Sequence, residues 1–496
     1  MLFEAIRHHL QVDPSAVCVA YTGDVAASES LLPKRPPARW AGSSSIADGG
    51  GQASGGEILC KARDRFDIDL TSKPFSSRIA FLPLRSRALV SDGYWKRLTM
   101  LGQSFGGAVL AKEACEELIP DYFIDTMGYA FAFPVVRLFR PRCPIGAYVH
   151  YPTISTDMLE RVRSRTAGHT NDAAVAGSIF KSQVKLVYYR IFAMAYSWAL
   201  RRADAIAVNG SWTQNHVNRL ILSSKAFEQG PGPSNTTVLR KESELRSADR
   251  NRKAQIVYPP CDTRSLEIFS LTDRSANTIV SLAQFRPEKE HSTQLKLLRA
   301  ILDRQPSLSK GPQPLKLIMM GSSRNPGDEA RIASLRALTK ELNLEAHVEF
   351  IVNAPYSVIL RELSKASIGL STMVDEHFGI NVVEFMAAGL ITLSHASAGP
   401  LLDIAVPDRC SSDDDDDDER TEPKPTGFHA SDVDEFAAQA EHILVKMSEG
   451  ERLAMRKRAR SRAQRTFSAE AFRQAWDHGL WQRLQGKAGE RKVVRR

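Results

Sequence analysis

Hydrophobic residues along this chain follow two rhythms that take turns from one end to the other. Short runs rich in β-branched residues, "AVCVAYTGD", "SSRIAFLPL", "DYFIDTM", "IGAYVHYP", "ADAIAVNG" and "QIVYPP", predict buried strands. Between them, apolar positions three and four apart predict helices in "MLFEAIRHHL", "ILCKARDRF", Ser91 to Leu118 and Ser178 to Arg201. The second half repeats the alternation with "TIVSLAQF", "LKLIMMGSS", "HVEFIVN" and "ASIGLST". Strand followed by helix, over and over, predicts an α/β protein of parallel sheets flanked by helices. At 496 residues, two doubly wound domains meeting near residues 263 to 276 account for the length.

Three segments break the rhythm and read as surface insertions. Residues 41–56, "AGSSSIADGGGQASGG", are rich in glycine and serine, but no strand leads directly into them, so they are not read as a phosphate loop. Residues 228–254 are polar and proline-bearing. Residues 411–425 carry the run Asp413 to Asp418, a solvated acidic loop rather than a calcium site.

Composition and charge narrow the function classes. With 43% hydrophobic and 25% charged residues the chain is an ordinary globular one. Its six cysteines are scattered without a C-x-x-C pair, which argues against a zinc site or disulfide framework and for a reducing compartment. Glycosylation triplets stand at Asn209 and Asn235. No apolar run reaches the roughly 18 residues of a membrane-spanning helix, and Met1 opens on an amphipathic helix without a signal-peptide pattern. Between Glu451 and Arg496 there are 14 Lys or Arg against 4 Asp or Glu, so the net charge of +9 resides in this tail. A solvated basic helix or an anionic membrane contact explains it; no recognition motif points to nucleic acid.

The candidate chemistry lies in two stretches. In "VDEHFGINVVEFM", Glu376 and Glu384 stand with seven residues between them, across the junction of a predicted strand, turn and helix. Asn381 and Glu384 have capping-box spacing, which leaves "EHFG" unexplained. A glycine turn entering a helix makes an anion site, because backbone N–H groups and the helix dipole face the ligand. In "SLAQFRPEKEH", the strand end places Arg286 and Lys289 at the carboxyl edge of a parallel sheet, where open α/β folds bind ligands. Read alone, a surface turn with incidental charges is the lesser alternative. Together, two cations and a helix N-terminus suit a diphosphate, and two carboxylates suit hydroxyl groups on either side of it. A nucleotide sugar has that layout, and a glycosyltransferase follows.

"RPEK" and the E-x7-E element of "EHFGINVVE" resemble the retaining glycosyltransferases of family four. "DYFIDTMGYAFAFPVVRLF", "IGAYVHYPTISTDML", "KLVYYRIFAMAYSWA", "ADAIAVNGSWTQNHV", "VYPPCDT" and "GLITLSHASAGPLLDI" resemble more narrowly the α-1,2-mannosyltransferases of asparagine-linked glycosylation. These add the fourth and fifth mannoses to a dolichol-diphosphate-linked oligosaccharide from GDP-mannose. The likeness covers most of the chain outside the insertions.

The resemblance implies a GT-B fold, two Rossmann-like doubly wound domains facing across a cleft. An acceptor domain would span 1–265, with insertions 29–56 and 226–254. A GDP-sugar-binding domain would span 276–465 with the acidic insertion 411–425, and a basic helix at 466–496 would pack back on the first domain. Glu384 would hold the ribose hydroxyls and Glu376 the mannose hydroxyls, with His377, Phe378, Gly379, Ile380 and Asn381 lining sugar and phosphate through their backbone. Arg286 and Lys289 match the diphosphate-binding pair, and His150 a position near the reacting sugar and acceptor. No metal or other cofactor is implied, GDP-mannose being a substrate. The implied partners are the lipid-linked acceptor, the cytosolic face of the endoplasmic reticulum membrane and other mannosyltransferases of the pathway. The aromatic helix Ser178 to Trp198 would pack between helices or rest on the bilayer, the former being favoured. Members usually carry a transmembrane helix, a strand and a glycine-rich loop before the helix that "MLFEAI" resembles. That departure keeps open a truncated, inactive nucleotide-binding or scaffold subunit, beside a UDP-sugar-dependent transferase or epimerase of the same fold.

Overall fold

The computed structural model describes residues 1–22, 55–91, 93–95, 98–154, 158, 179–229, 237–409 and 422–493. Most of the glycine-serine segment and the whole run Asp413 to Asp418 therefore lie outside the described residues. The chain forms two compact units. One comprises residues 1–208, 215–255 and 473–496, the other residues 209–214 and 256–472.

In the first unit, strand β1 (Cys18–Thr22) pairs in parallel with β2 (Ile79–Pro83). A second sheet runs β3 (Phe123–Asp125), β4 (Ile145–Val149), β5 (Ala205–Val208) and β8 (Gln255–Ile256), with β3, β4 and β5 parallel. Every residue of β4 and β5 is buried, as a parallel strand covered on both faces requires. "QIVYPP" yields only two strand residues, because Pro259 and Pro260 carry no ladder donor. Residues 228–254 are more structured than an insertion: a hairpin of β6 (Phe227–Gln229) and β7 (Thr237–Leu239) precedes a short helix Ser247–Arg252.

The helices of this unit are α1 (Leu2–Val12), α2 (Gly55–Phe66), α3 (Thr99–Glu117), α4 (Ala132–Phe139), α5 (Ile179–Leu200) and α6 (Ser211–Ile221), whose first residues belong to the second unit. The helix expected from Ser91 starts only at Thr99, since Leu98 sits in the left-handed region with φ 53°. Helices α13 (Ala469–Trp476) and α14 (Gln482–Val493) end the chain. Glu4 of α1 is nearly inaccessible between Arg7 and Arg473, at 2.6 and 2.7 Å, and His8 meets Asp477 at 2.8 Å. Helix α5 divides the two readings of its aromatic residues between its faces. Tyr189, Phe192 and Tyr196 are buried, whereas Val184, Val187, Ile191, Met194 and Trp198 form a stripe in which each residue is more than half exposed. Among the described residues, no helix is long and apolar enough to cross a membrane.

The second unit is built on a six-stranded parallel sheet of β9 (Ser275–Leu282), β10 (Lys316–Gly321), β11 (Val348–Val352), β12 (Ala366–Ser371), β13 (Ile391–His395) and β14 (Gly427–Ala430). Their spatial order is β11-β10-β9-β12-β13-β14. The sheet thus grows outward from β9 in one direction, then returns to add β12 on the other side. This is a doubly wound sheet with its switch point between β9 and β12. Side chains alternate along each strand, so Leu317 and Met319 enter the core on one face and Ile318 and Met320 the core on the other.

Helices α7 (His291–Arg304), α8 (Pro326–Glu341), α9 (Tyr356–Lys365), α10 (Ile380–Ala388), α11 (Val433–Glu441) and α12 (Glu449–Phe467) complete the unit. The basic surplus of α12 is not a solvated face. Arg452 donates to the carbonyls of Ile443 and Leu444, Arg456 to Leu271, Arg458 to Pro425, Arg460 to Ala387, Glu267 and Phe269, and Arg462 to Asp403 and Ile404. Carbonyl partners leave no trace in charge patterning, which is why the sequence pointed outward.

Helix α10 lies close on β12, because Gly369 offers no side chain: a Cβ there would collide with the Phe385 ring. Gly369→Ala is expected to lower stability by about 1–3 kcal/mol through overpacking, read as a lower urea midpoint. An unchanged midpoint would contradict this packing.

Candidate functional site

At the switch point, the loops leaving β9 and β12 are neighbours. The first loop crosses the end of β10, with the Ala283 amide donating to Met320 O at 2.9 Å and the Phe285 amide to Ser322 O at 3.2 Å. Gly321 permits the crossing, since a Cβ there would collide with the Ala283 carbonyl. Phe285 is buried and stacks on His291 with ring centroids 5.0 Å apart. Burial first, then Lys289 and Arg331, push the His291 pKa down to about 4, so this imidazole is neutral at pH 7. Arg286 opens the turn Pro287–Lys289, and Glu290, at φ 51°, turns the chain into α7.

Thr372 fastens this loop to the other one. Its hydroxyl donates to Lys289 O at 3.0 Å and accepts from Gln294 Nε2 at 3.0 Å. Just beyond, the Lys289 ammonium forms an ion pair with the Glu376 carboxylate. Both side chains are largely buried, at 21% and 13% exposed, so the pair is shielded from solvent and salt. The sequence assigned them to different parts of a ligand; in the structure each neutralises the other. Arg286 remains accessible, with Glu288 3.9 Å away.

The second loop is held rigidly. The Asp375 amide donates to Ser397 Oγ at 2.8 Å, and the Gly399 amide to Glu376 O at 2.9 Å. Gly399 packs so closely that a Cβ would collide with the Phe378 backbone. Phe378 itself is core: its ring stacks on Tyr258 at 5.9 Å and meets Phe467 edge-on at 5.7 Å. Gly379, at φ 108°, is the residue before α10, a conformation that favours glycine.

The capping-box reading fails here. Gly379 occupies the cap position, no side chain caps the helix, and Asn381 Nδ2 donates to Leu282 O at 3.2 Å, tying α10 to β9. The main chain of residues 376–381 thus leads from Glu376, the partner of Lys289, to the first turn of α10, where a helix leaves N–H groups without intrahelical partners. Arg460 Nε donates to Ala387 O at 2.9 Å and Arg274 to Ala388 O, so cations cap the helix's negative end.

Glu384 lies one turn into α10. Burial first, and the Asp262 carboxylate second, push its pKa up to about 7. Asp262 accepts from the Ser265 amide at 3.2 Å and from the Ser265 hydroxyl, and Tyr356 bonds to Ser265 nearby. Sequence reasoning missed Asp262 and Tyr356, which lie far from Glu384 along the chain. It also missed Asp403, a buried carboxylate accepting from the Ser211 amide at 2.9 Å, the Ser211 hydroxyl at 2.6 Å and the Tyr258 hydroxyl at 2.8 Å. Next to Ser211, the Trp212 ring lies 4.6 Å from the His377 ring. His150 belongs to the first unit, one residue beyond β4, where its ring lies 4.8 Å from that of Tyr148.

Residues 1–221 match the family model described as ALG11 mannosyltransferase N-terminus, and residues 265–462 match Glycosyl transferases group 1. A protein of Xenopus laevis named GDP-Man:Man(3)GlcNAc(2)-PP-Dol alpha-1,2-mannosyltransferase is 39% identical over 95% of this chain and 82% of its own length. Proteins of the same name from Homo sapiens and Dictyostelium discoideum are 37% and 35% identical, each over 95% of this chain and over 81% and 79% of their own lengths. The chain belongs to this mannosyltransferase family.

Solved structures agree on the GT-B fold. A UDP-forming α,α-trehalose-phosphate synthase from Burkholderia xenovorans matches with TM-score 0.57 at 12% identity, covering 83% of this chain and 89% of its own. An OtsA apo structure matches with TM-score 0.57 at 10% identity, covering 96% and 94%. In this mannosyltransferase, Asp403 makes a firm prediction. Asp403→Ala strands the Ser211 and Tyr258 donors and is expected to cost about 1–3 kcal/mol in urea unfolding, with Tyr258→Phe costing less. Equal or negligible losses would contradict the grip assigned to this carboxylate.

Proposed function

We propose that this chain transfers mannose in α-1,2 linkage, with retention, from GDP-mannose to a dolichol-diphosphate-linked oligosaccharide, adding the fourth and fifth mannoses of an N-glycan precursor. The observation that carries the reading is the meeting of Lys289, Glu376 and the α10 N-terminus at the switch point, in a chain of this family. Arg286 and Lys289 receive the diphosphate, Arg286 as a planar fork and Lys289 as a point charge. The first-turn amides of α10, reached through the backbone of His377 to Asn381, add a positive dipole end. Glu376, released from Lys289 as the phosphates take its place, accepts from mannose hydroxyls. Glu384 accepts from the ribose.

The chemistry needs little beyond this. The bond from the anomeric carbon to the diphosphate oxygen breaks while the bond to the acceptor oxygen forms on the same face. The acceptor's proton passes to the leaving phosphate oxygen, so no carboxylate nucleophile is assigned. Negative charge grows on the diphosphate, where the fixed cations and helix dipole await it, and we assign no metal to the reaction. His150 takes a place beside the reacting sugar and acceptor. The exposed stripe of α5, flanked by Lys185 and Arg190, supports a seat for the first unit on the cytosolic face of the endoplasmic reticulum membrane.

Purified chain in detergent, given a lipid-linked trimannosyl acceptor, is expected to incorporate mannose from GDP-mannose and nothing from UDP-sugars. Transfer from UDP-sugars instead, or none by a folded chain that binds nucleotide, would overturn the reading in favour of the UDP-dependent or the inactive alternative. Glu384→Ala removes a carboxylate that accepts two hydroxyl hydrogen bonds and is expected to weaken GDP binding roughly 10- to 150-fold.

The raised Glu384 pKa adds a pH signature. In the donor-free chain this acid keeps its proton to higher pH than it does unfolded, so its contribution to stability falls as pH rises from about 4.5 toward 7. Ribose hydroxyls favour the ionised form, so GDP binding at pH 6.5 should release a proton. Calorimetry in buffers of different ionisation enthalpy should register that proton in the parent chain and lose it in Glu384→Gln; equal release by both would contradict the assignment.

A further inference from the structure

The exposed stripe of α5 does not end with the helix. Val184, Val187, Ile191, Met194 and Trp198 recur at intervals of three and four, which puts the next position on that face at Arg201 or Arg202. The Arg201 amide still donates to Ser197 O at 3.0 Å, so the backbone keeps its helical course to that point. Arg202 lies over the Trp198 ring, 4.9 Å from its centre. Arg201 lines a shallow surface pocket with Asp204, Asn251 and Arg252, over the buried Ile206 and Ile221. An apolar face about 21 Å long thus runs into a pocket edged by guanidinium groups.

The charge in this pocket is unbalanced. Asp204 is the one carboxylate among the residues lining it, and both of its oxygens are taken. Oδ2 accepts from Arg137 and from the Ile145 amide, each at 2.8 Å, and Oδ1 accepts from Arg491 at 2.5 Å. Two arginines already outweigh that carboxylate, so Arg201 and Arg252 add positive charge that it does not offset. Both are exposed, and the Arg201 guanidinium reaches Leu220 O only at 3.5 Å. The wall opposite is fixed, since Arg483 donates to Asn251 O at 2.5 Å and to Lys253 O at 3.2 Å. Asp204 comes just before β5, whereas His150 follows β4, and the two strands are parallel. The pocket is therefore at the amino edge of the sheet, the edge away from His150.

We propose that this pocket holds the phosphate of an anionic phospholipid while the α5 stripe lies in the adjoining bilayer interface. The proposal rests on the reading that α5 seats the first unit on a membrane. Guanidinium groups suit phosphate oxygens because each presents a planar pair of N–H donors. Long cationic side chains at the end of an apolar helix face stay at headgroup level when that face sinks to the acyl boundary. A free anion would have no use for the stripe. The continuity of stripe and pocket is what selects a lipid.

The test measures flotation of the full chain with phosphatidylcholine vesicles, with and without phosphatidic acid. It compares the parent with two paired variants, Arg201→Gln with Arg252→Gln in the pocket and Lys185→Gln with Arg190→Gln beside the stripe. The pocket pair should keep the parent's urea midpoint and its affinity for neutral vesicles, and bind the phosphatidic acid vesicles roughly 10- to 30-fold more weakly. The second pair removes the same charge and should lose clearly less. Equal losses from the two pairs would show diffuse attraction without a pocket and overturn the proposal. So would inorganic phosphate bound by a parent chain that shows no preference for phosphatidic acid, the behaviour of a free-anion site. Ile191→Ser with Met194→Ser should weaken binding to both kinds of vesicle. Should it do so while the pocket pair changes nothing, the membrane seat would stand and the pocket alone would fall. A parent chain that binds neither vesicle would overturn both.

Discussion

The reversal of strand order between β9 and β12 is the constraint on which the rest of this structure depends. A parallel sheet that grew in one direction only would cover each strand end with the next connection. Because β12 is added beside β9 instead, two strand ends are adjacent with their following loops diverging, and the space between them is where ligands bind. The chain invests that position with its chemistry: Arg286 and Lys289 after β9, Glu376 and the start of α10 after β12.

Much of the second unit can be understood as holding those loops still. Gly321, Gly369 and Gly399 let backbone and helix approach where a single methyl group would collide. The arginines of α12 reach carbonyls at the end of α10 and in the turn Pro400–Ile404, so a charge-rich helix acts as a brace. The cations at the C-terminal end of α10 are stabilised by the helix dipole. The Lys289–Glu376 pair keeps both charges compensated.

The parts of this architecture visible in the sequence are those written in local patterns. Strand β12 shows as "ASIGLST", and a glycine, Gly389 at φ 80°, ends α10. Arg286, Lys289 and Glu376 could be picked out as charged residues beside predicted strand ends, and Glu384 by its spacing from Glu376. What stayed hidden depends on long-range partners. Asp403 binds Ser211 across 192 residues, and no spacing rule connects them. The α12 arginines looked like a solvated or membrane-facing stripe because carbonyl acceptors are present in every sequence. Asn381 and Glu384 had the spacing of a cap, but the backbone geometry of Gly379 decides where the helix begins.

The measurement that bears most directly on this account is a structure of the chain with GDP-mannose bound. The account places the diphosphate within hydrogen-bond reach of Arg286, Lys289 and the first-turn amides of α10, with the Lys289–Glu376 pair opened and Glu376 turned to the mannose. A diphosphate bound away from the β9–β12 switch point, with that ion pair still closed, would contradict it.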